Sequence, residues 1–284
     1  MKIRKSVFSG SWYPSKASEC EAMIRQFLSG EKDRQQHPEG GYSGGIVPHA
    51  GWYFSGKIAC RVMHHLQTEQ PPDIMVVFGM HLHHRDPGYI MPEGAWETPF
   101  GTIPVAENLA QEIADHFSFV VETPDDFHQD NTIELQLPFV KYFFPDAKIV
   151  AIGVPPTDMA MKTADFIVEV ASRLGVSIRV IGSTDLTHYG PNYGFSPKGT
   201  GVKALEWVTK VNDRGVIDQM LAMNPSGVIR EARENGNACC AGAAAAAIAA
   251  GKKMGARLAV EMDYATSYDK SHGTSFVGYT GIVF

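Results

Sequence analysis

Five short apolar runs set the limits on how this 284-residue chain folds: "GGIVP" (44–48), "DIMVVFG" (73–79), "FVVE" (119–122), "KIVAIGV" (148–154) and "SIRVIGSTD" (177–185). A strand with one face in water alternates polar and apolar residues. Several of these runs do not alternate, so they require cover on both faces. Two further strand candidates, "RLAVEMDYA" (257–265) and "SFVGYTGIVF" (275–284), end the chain, and the short loop between them predicts an antiparallel hairpin. Between the runs the apolar spacing is helical over 51–66, 105–117, 131–144, 158–173, 200–222, 225–235 and 239–253. In 131–144, Asn131 opens the segment and Glu134 follows three residues later, as in a capping box. This alternation predicts an α/β fold, a three-layer sandwich with a mixed, mostly parallel central sheet.

Charge and composition remove several classes of function. Lys and Arg total 25 against 31 Asp and Glu, a net charge of −6, and no basic stripe is present to neutralise phosphates, so nucleic acid is excluded as the main partner. "MKIRKSVFSGSWYPSKAS" lacks the apolar core of a signal peptide. "ACCAGAAAAAIAAG" is too short and too Ala-rich to span a bilayer. The reading is a cytoplasmic protein with no membrane partner. Of Cys20, Cys60, Cys239 and Cys240, the adjacent Cys239 and Cys240 are not expected to pair easily with each other and no framework spacing appears, so all four read as reduced thiols.

In open α/β sheets, ligands bind beyond the carboxyl ends of the strands. His49 follows the first run, His81, His83 and His84 follow the second, and Asp185 and His188 end another. Imidazoles delivered to one sheet edge by separate rigid strands are what a metal site in a large domain needs. Neutral imidazole suits iron, copper or zinc. Cys239 or Cys240 opens the late helix, where the positive helix end favours a thiolate, and so offers an anionic ligand. Asp185 and His188, three apart, would share a face in a helical turn and act as a carboxylate-oriented general acid or base. Each feature also has a plainer role: His49 as a helix cap, part of the trio as solvated surface, Asp185–His188 as a structural hydrogen bond, the paired cysteines as small buried hydrophobes. His64 and His65 read as surface or dipole partners at a helix end, and His128 as a loop residue. His37, His116 and His272 receive no functional role. "EGAWETPFG" (93–101) reads as a pocket wall or a turn connection.

Taken in order, "FSGSWYP" (8–14), "VPHAGWYFSG" (47–56), "PEGAWETPFGTIPV" (92–105), "NTIELQLPF" (131–139), "GSTDLTHYG" (182–190), "NACCAGAAAAAIAA" (237–250) and "YATSYDKSHGTSFVGYTGIVF" (264–284) resemble the Memo-like family. Its bacterial and archaeal members are called AmmeMemoRadiSam system protein B. The resemblance covers nearly the whole chain and implies one domain over 1–284, related in fold to the class III extradiol dioxygenases. It implies a mononuclear metal ion, Fe(II) or copper ahead of zinc, on two histidines and a cysteine. Residue by residue, the ligands would be His49, His81 and Cys239, with His83 and Cys240 as rivals, and Asp185 and His188 would be catalytic. Trp52, Asn131 and Glu134 are the expected substrate-binding residues. Two positions depart from the family pattern: Leu82 stands where simple offset expects a histidine, and Asn131 replaces a pocket histidine. Asn131 can still hydrogen-bond a ligand but cannot exchange protons near neutral pH.

The function expected is a metal-dependent oxidoreductase acting on an unknown small molecule or peptide. The alternatives are a non-catalytic ligand- or peptide-binding protein with a vestigial site, or a zinc hydrolase. The family name also implies radical SAM and AMMECR1-like partners. The chain has no three-cysteine spacing for an iron–sulfur cluster of its own.

Overall fold

The computed structural model describes residues 1–29 and 41–284, and His37 lies outside them. In chain order the elements are β1 (Ile3–Arg4), α1 (Ala17–Leu28), β2 (Gly44–Val47), a π-helical turn Trp52–Gly56 leading into α2 (Lys57–His65), and β3 (Ile74–Gly79). There follow β4 (Tyr89–Ile90), β5 (Ala95–Thr98), β6 (Gly101–Pro104), α3 (Glu107–His116), β7 (Val120–Val121), α4 (Asn131–Glu134) and α5 (Leu137–Phe143). Next come β8 (Lys148–Gly153), α6 (Asp158–Leu174), β9 (Ile178–Ser183), β10 (His188–Tyr189), α7 (Val202–Trp207), a second π-helical stretch Val208–Asn212, α8 (Asp213–Leu221) and α9 (Pro225–Asn235). The chain closes with α10 (Ala241–Lys253), β11 (Val260–Thr266) and β12 (Phe276–Val283).

The large sheet runs β10-β12-β2-β9-β3-β8-β4-β7, with β11 on β12. Its centre, β2-β9-β3-β8, is parallel, and β12 and β4 join it antiparallel on either side. Every residue of β2 and β3 is buried, as the unbroken apolar runs require when helices cover both faces. One face carries α10, which lies on β2, β9 and β3 and is itself overlaid by α6 and α9; α2 packs on β2 and β12. The 241–251 stretch of α10 is buried all round, which explains its lack of a polar face. The expected hairpin is present, with Val260 opposite Val283 and Thr266 opposite Gly278. Among the described residues no helix is long and apolar enough to cross a membrane.

Several elements differ from the sequence reading. The helix α1 and the three-stranded sheet β1-β5-β6 were not anticipated; "EGAWETPFG" forms most of the β5–β6 hairpin. The 119–122 strand shrinks to two exposed residues at the sheet edge. The cap of α4 is Asp130, not Asn131: its Oδ1 accepts Thr132 N–H at 2.8 Å. The Glu134 carboxylate turns away to accept the N–H groups of Val7 and Phe8 and the Tyr13 hydroxyl, fastening the N-terminal segment.

The approach of α10 to the sheet depends on Gly182 in β9. A Cβ there would stand 2.6 Å from the Ala243 carbonyl oxygen and 2.9 Å from Ala244 Cα, so the helix or the strand would have to yield. Gly182→Ala is expected to destabilise the fold by about 1–3 kcal/mol, the usual range for overpacking, measured by urea unfolding.

Candidate metal centre

His49, His81, Cys239 and Cys240 place one ligand atom each within 4.8 Å of one another. Three chain segments meet to produce this. His49 lies just beyond the carboxyl end of β2, His81 two residues beyond β3, and the cysteines immediately before α10. The expected convergence on one sheet edge is present, and it includes His81 rather than His83, which is exposed and whose N–H is taken by Asp86 at 2.6 Å.

Hydrogen bonds on the far side of each ring fix the imidazoles. Ser183 Oγ spends its proton on the Thr132 carbonyl at 2.7 Å, so it accepts from His49 Nδ1, 3.1 Å away. With Nδ1 so committed, Nε2 is the ring nitrogen that faces Cys239 Sγ, at 3.3 Å. His81 Nδ1 lies 2.9 Å from Asp130 Oδ2, and an ionised carboxylate can only accept, so its Nε2 is likewise left for a ligand. The two rings meet edge to face at 4.9 Å. Asp130 thus caps α4 with one oxygen and orients His81 with the other, where it also accepts the His81 N–H.

The turn that carries His81 is unusual. Met80 has φ of +71°, a left-handed conformation uncommon for a side-chain-bearing residue. Its N–H donates to Thr132 Oγ1 at 2.6 Å, and a Cβ on the preceding Gly79 would come within 2.4 Å of that oxygen. Glycine at 79 therefore allows the strand end to reach the α4 cap.

Asp185 joins the remaining parts. Its Oδ1 accepts the His49 N–H at 2.7 Å, its own N–H points at Cys239 Sγ at 3.3 Å, and its carbonyl accepts the Cys239 N–H at 3.2 Å. Its Oδ2 is 3.9 Å from both His49 Nε2 and His188 Nε2, beyond hydrogen-bond length. The segment does not turn helically: His188 sits in β10, paired with Val277. Its Nε2 is buried and has no hydrogen-bond partner among the described residues, and His188 lines the cavity described below.

The electrostatics follow the geometry. Burial alone would raise the Cys239 thiol, but contact with Cys240 and the neighbouring His49 and His81 holds it well below its ordinary value, as a thiolate. Cys240, buried 3.7 Å from that sulfur, is pushed the other way by burial and by the adjacent negative charge. Burial works against a charged His81, but Asp130 and the thiolate outweigh it and lift the ring to about 10. His49 and His188 are raised too, against burial, by Asp185 and Cys239.

The cluster opens into a cavity of about 610 Å³ lined by His49, His81, Asn131, Asp185 and His188. Asn131 also donates to the His49 carbonyl at 2.9 Å. Trp52 and Glu134, expected to bind substrate, are not among the residues that line it. Trp52 is buried, stacked on Phe139 at 4.1 Å with its indole N–H on the Leu135 carbonyl, and Glu134 serves the N-terminal segment. The sequence reading missed the aromatic walls, Trp12, Tyr53, Phe54, Tyr193 and Tyr279. Trp12, Tyr53 and Phe54 lie within quoted motifs and could have been found there; Tyr193 ends a short 3-10 turn, Pro191–Tyr193, with no such signal. Of the other histidines, His65 is buried rather than at the surface, His116 stacks on Phe166, and His128 is held in a loop by Glu122.

The ordered motifs have a counterpart in known proteins: the model of the family described as "Memo-like protein" matches residues 4–283. The chain belongs to the Memo-like family. A MEMO1 family protein of Pyrococcus furiosus is 34% identical over 99% of this chain and 98% of its own length. One of Thermococcus kodakarensis is 34% identical over 99% of each chain. A crystal structure of an uncharacterized Escherichia coli K12 protein is similar in fold, with a TM-score of 0.50 at 11% identity over 85% of this chain and 98% of its own.

Behind the site, a second buried carboxyl anchors the loop that bears His188. Asp213 accepts the Thr187 N–H at 3.0 Å and the Tyr264 hydroxyl at 2.7 Å, and burial lifts it to about 6 despite those bonds. A carboxyl raised on folding binds its proton more tightly in the folded state, so its ionisation lowers stability as pH climbs from about 4 to about 6. Asp213→Asn removes that dependence. The melting temperature of the parent relative to the variant should fall across this window and level off above it, read by calorimetry at stepped pH.

Proposed function

We propose that this Memo-like protein is a metal-dependent oxidoreductase whose mononuclear ion is held by His49 Nε2, His81 Nε2 and Cys239 Sγ. One observation carries the reading. Both rings have Nδ1 committed to a protein acceptor, His49 Nε2 lies 3.3 Å from Cys239 Sγ, and one ligand atom each of His49, His81, Cys239 and Cys240 lies within 4.8 Å of the others. A bound iron or copper ion would supply redox chemistry, and a mixed imidazole and thiolate donor set suits both. Iron and copper are put ahead of zinc because of the family's kinship to the extradiol dioxygenases.

The chain's own groups have separable tasks. Ser183 and Asp130 hold the rings in the tautomer that presents Nε2. His188, which lines the cavity and whose Nε2 has no partner among the described residues, gives or takes a proton, and Asp185 favours its charged form. Asn131 fixes the His49 backbone and offers its amide to the substrate. Trp12, Tyr53, Phe54 and Tyr193 enclose a small molecule or peptide side chain and thin out water around it. Family membership supports radical SAM and AMMECR1-like proteins as partners. The site's thiol chemistry fits a reducing, cytoplasmic setting.

The test is metal quantification after anaerobic purification. Close to one equivalent of iron or copper is expected in the parent and in Cys240→Ala, and near none in His49→Ala and Cys239→Ala. Ser183→Ala should retain the site but weaken metal affinity by about 10–100-fold in chelator competition. Stoichiometric zinc would replace the redox reading with a hydrolytic one. Failure of the parent to take up any metal would overturn both.

A further inference from the structure

The proposed centre uses one sulfur, yet the chain supplies two. Cys240 stands next to Cys239 with Sγ 3.7 Å from Sγ, and the two differ in access: Cys239 is partly exposed and Cys240 is buried, 3% exposed. The backbone around the pair is tied down on both sides. Cys239 N–H donates to the Asp185 carbonyl at 3.2 Å and Cys240 N–H to Thr184 Oγ1 at 3.0 Å. The two thiols are therefore held side by side immediately before α10, with Cys239 the more exposed of the two.

We propose that Cys239 and Cys240 form a peroxide-responsive dithiol in which Cys240 resolves oxidation of Cys239 as a reversible vicinal disulfide. In the first step the Cys239 sulfur attacks hydrogen peroxide. A sulfur–oxygen bond forms and the oxygen–oxygen bond breaks, hydroxide leaves with the electron pair and takes up the thiol proton as water, and the sulfur becomes a sulfenic acid, oxidised by two electrons. In the second step the Cys240 sulfur attacks the Cys239 sulfur. The sulfur–sulfur bond forms, the sulfur–oxygen bond breaks, and the hydroxyl leaves with the Cys240 proton as water. The sulfurs must close by roughly 1.7 Å from their present 3.7 Å to reach bonding distance. A neighbour this near intercepts the sulfenic acid before a second peroxide drives it to the irreversible sulfinic acid. Disulfide formation would also withdraw the Cys239 thiolate from the cluster it shares with His49 and His81. The chemistry needs the thiols and peroxide and no bound metal, so it stands apart from the oxidoreductase reading.

Intact-mass and peptide-mapping spectrometry of the reduced, chelator-treated full-length chain under graded hydrogen peroxide tests this. The parent should lose two hydrogens, localised to the Cys239–Cys240 peptide, and recover them with dithiothreitol. Cys20 and Cys60, both buried, serve as internal references that stay unmodified. Cys240→Ser, checked for native circular dichroism, should instead gain two or three oxygens on Cys239 that dithiothreitol does not remove. A parent that passes to the sulfinic acid as readily as Cys240→Ser, or a disulfide that maps to another pair, overturns the proposal. Metal content measured on the same preparations before chelation reports separately on the metal centre.

Discussion

The cluster rests on Asp185. Its carboxylate holds the end of β2 through the His49 N–H, and its peptide group holds the mouth of α10 through both the N–H and the sulfur of Cys239. These elements lie far apart in sequence, and nothing local brings His49 to Cys239. A charge-assisted hydrogen bond of this kind contributes about 1.5–3 kcal/mol. Its larger effect is geometric, because it fixes an imidazole and a thiolate within 3.3 Å. Asp213 and Asn212 support the same loop from behind through Thr187, at the end of a π-helical stretch. Such irregular helices recur at functional sites because they re-aim side chains.

The parallel core was legible in the sequence because strands covered on both faces must be apolar throughout, and β3, β8 and β9 satisfy that with few polar breaks. The position of chemistry at the carboxyl edge followed from that topology. His49, His81 and Cys239 were therefore reachable, since each follows a strand end or opens a helix. The choice of His81 over His83 was decided only by Asp130, whose second oxygen takes His81 Nδ1.

What the sequence hid are roles set by partners distant in the chain. Glu134 looked like half of a capping box, yet its oxygens satisfy Val7, Phe8 and Tyr13, so burial and hydrogen bonding occupy it elsewhere. Trp52 follows the His49 motif closely, but the π-helical turn carries it into the core against Phe139 and leaves Tyr53 and Phe54 facing the cavity. The Asp185–His188 spacing suggested a helical turn, whereas pairing of β10 with β12 sets the actual geometry. Short strands such as β1, β5 and β6 carry too few residues for a period to be read.

The central claim is that two imidazoles and the Cys239 sulfur hold one ion. X-ray absorption at the metal edge of the anaerobically loaded protein tests it most directly. One sulfur and two imidazole nitrogens are expected among the neighbours, with the sulfur contribution lost in Cys239→Ala. A spectrum with nitrogen and oxygen neighbours only, or a sulfur contribution unchanged in that variant, would contradict it.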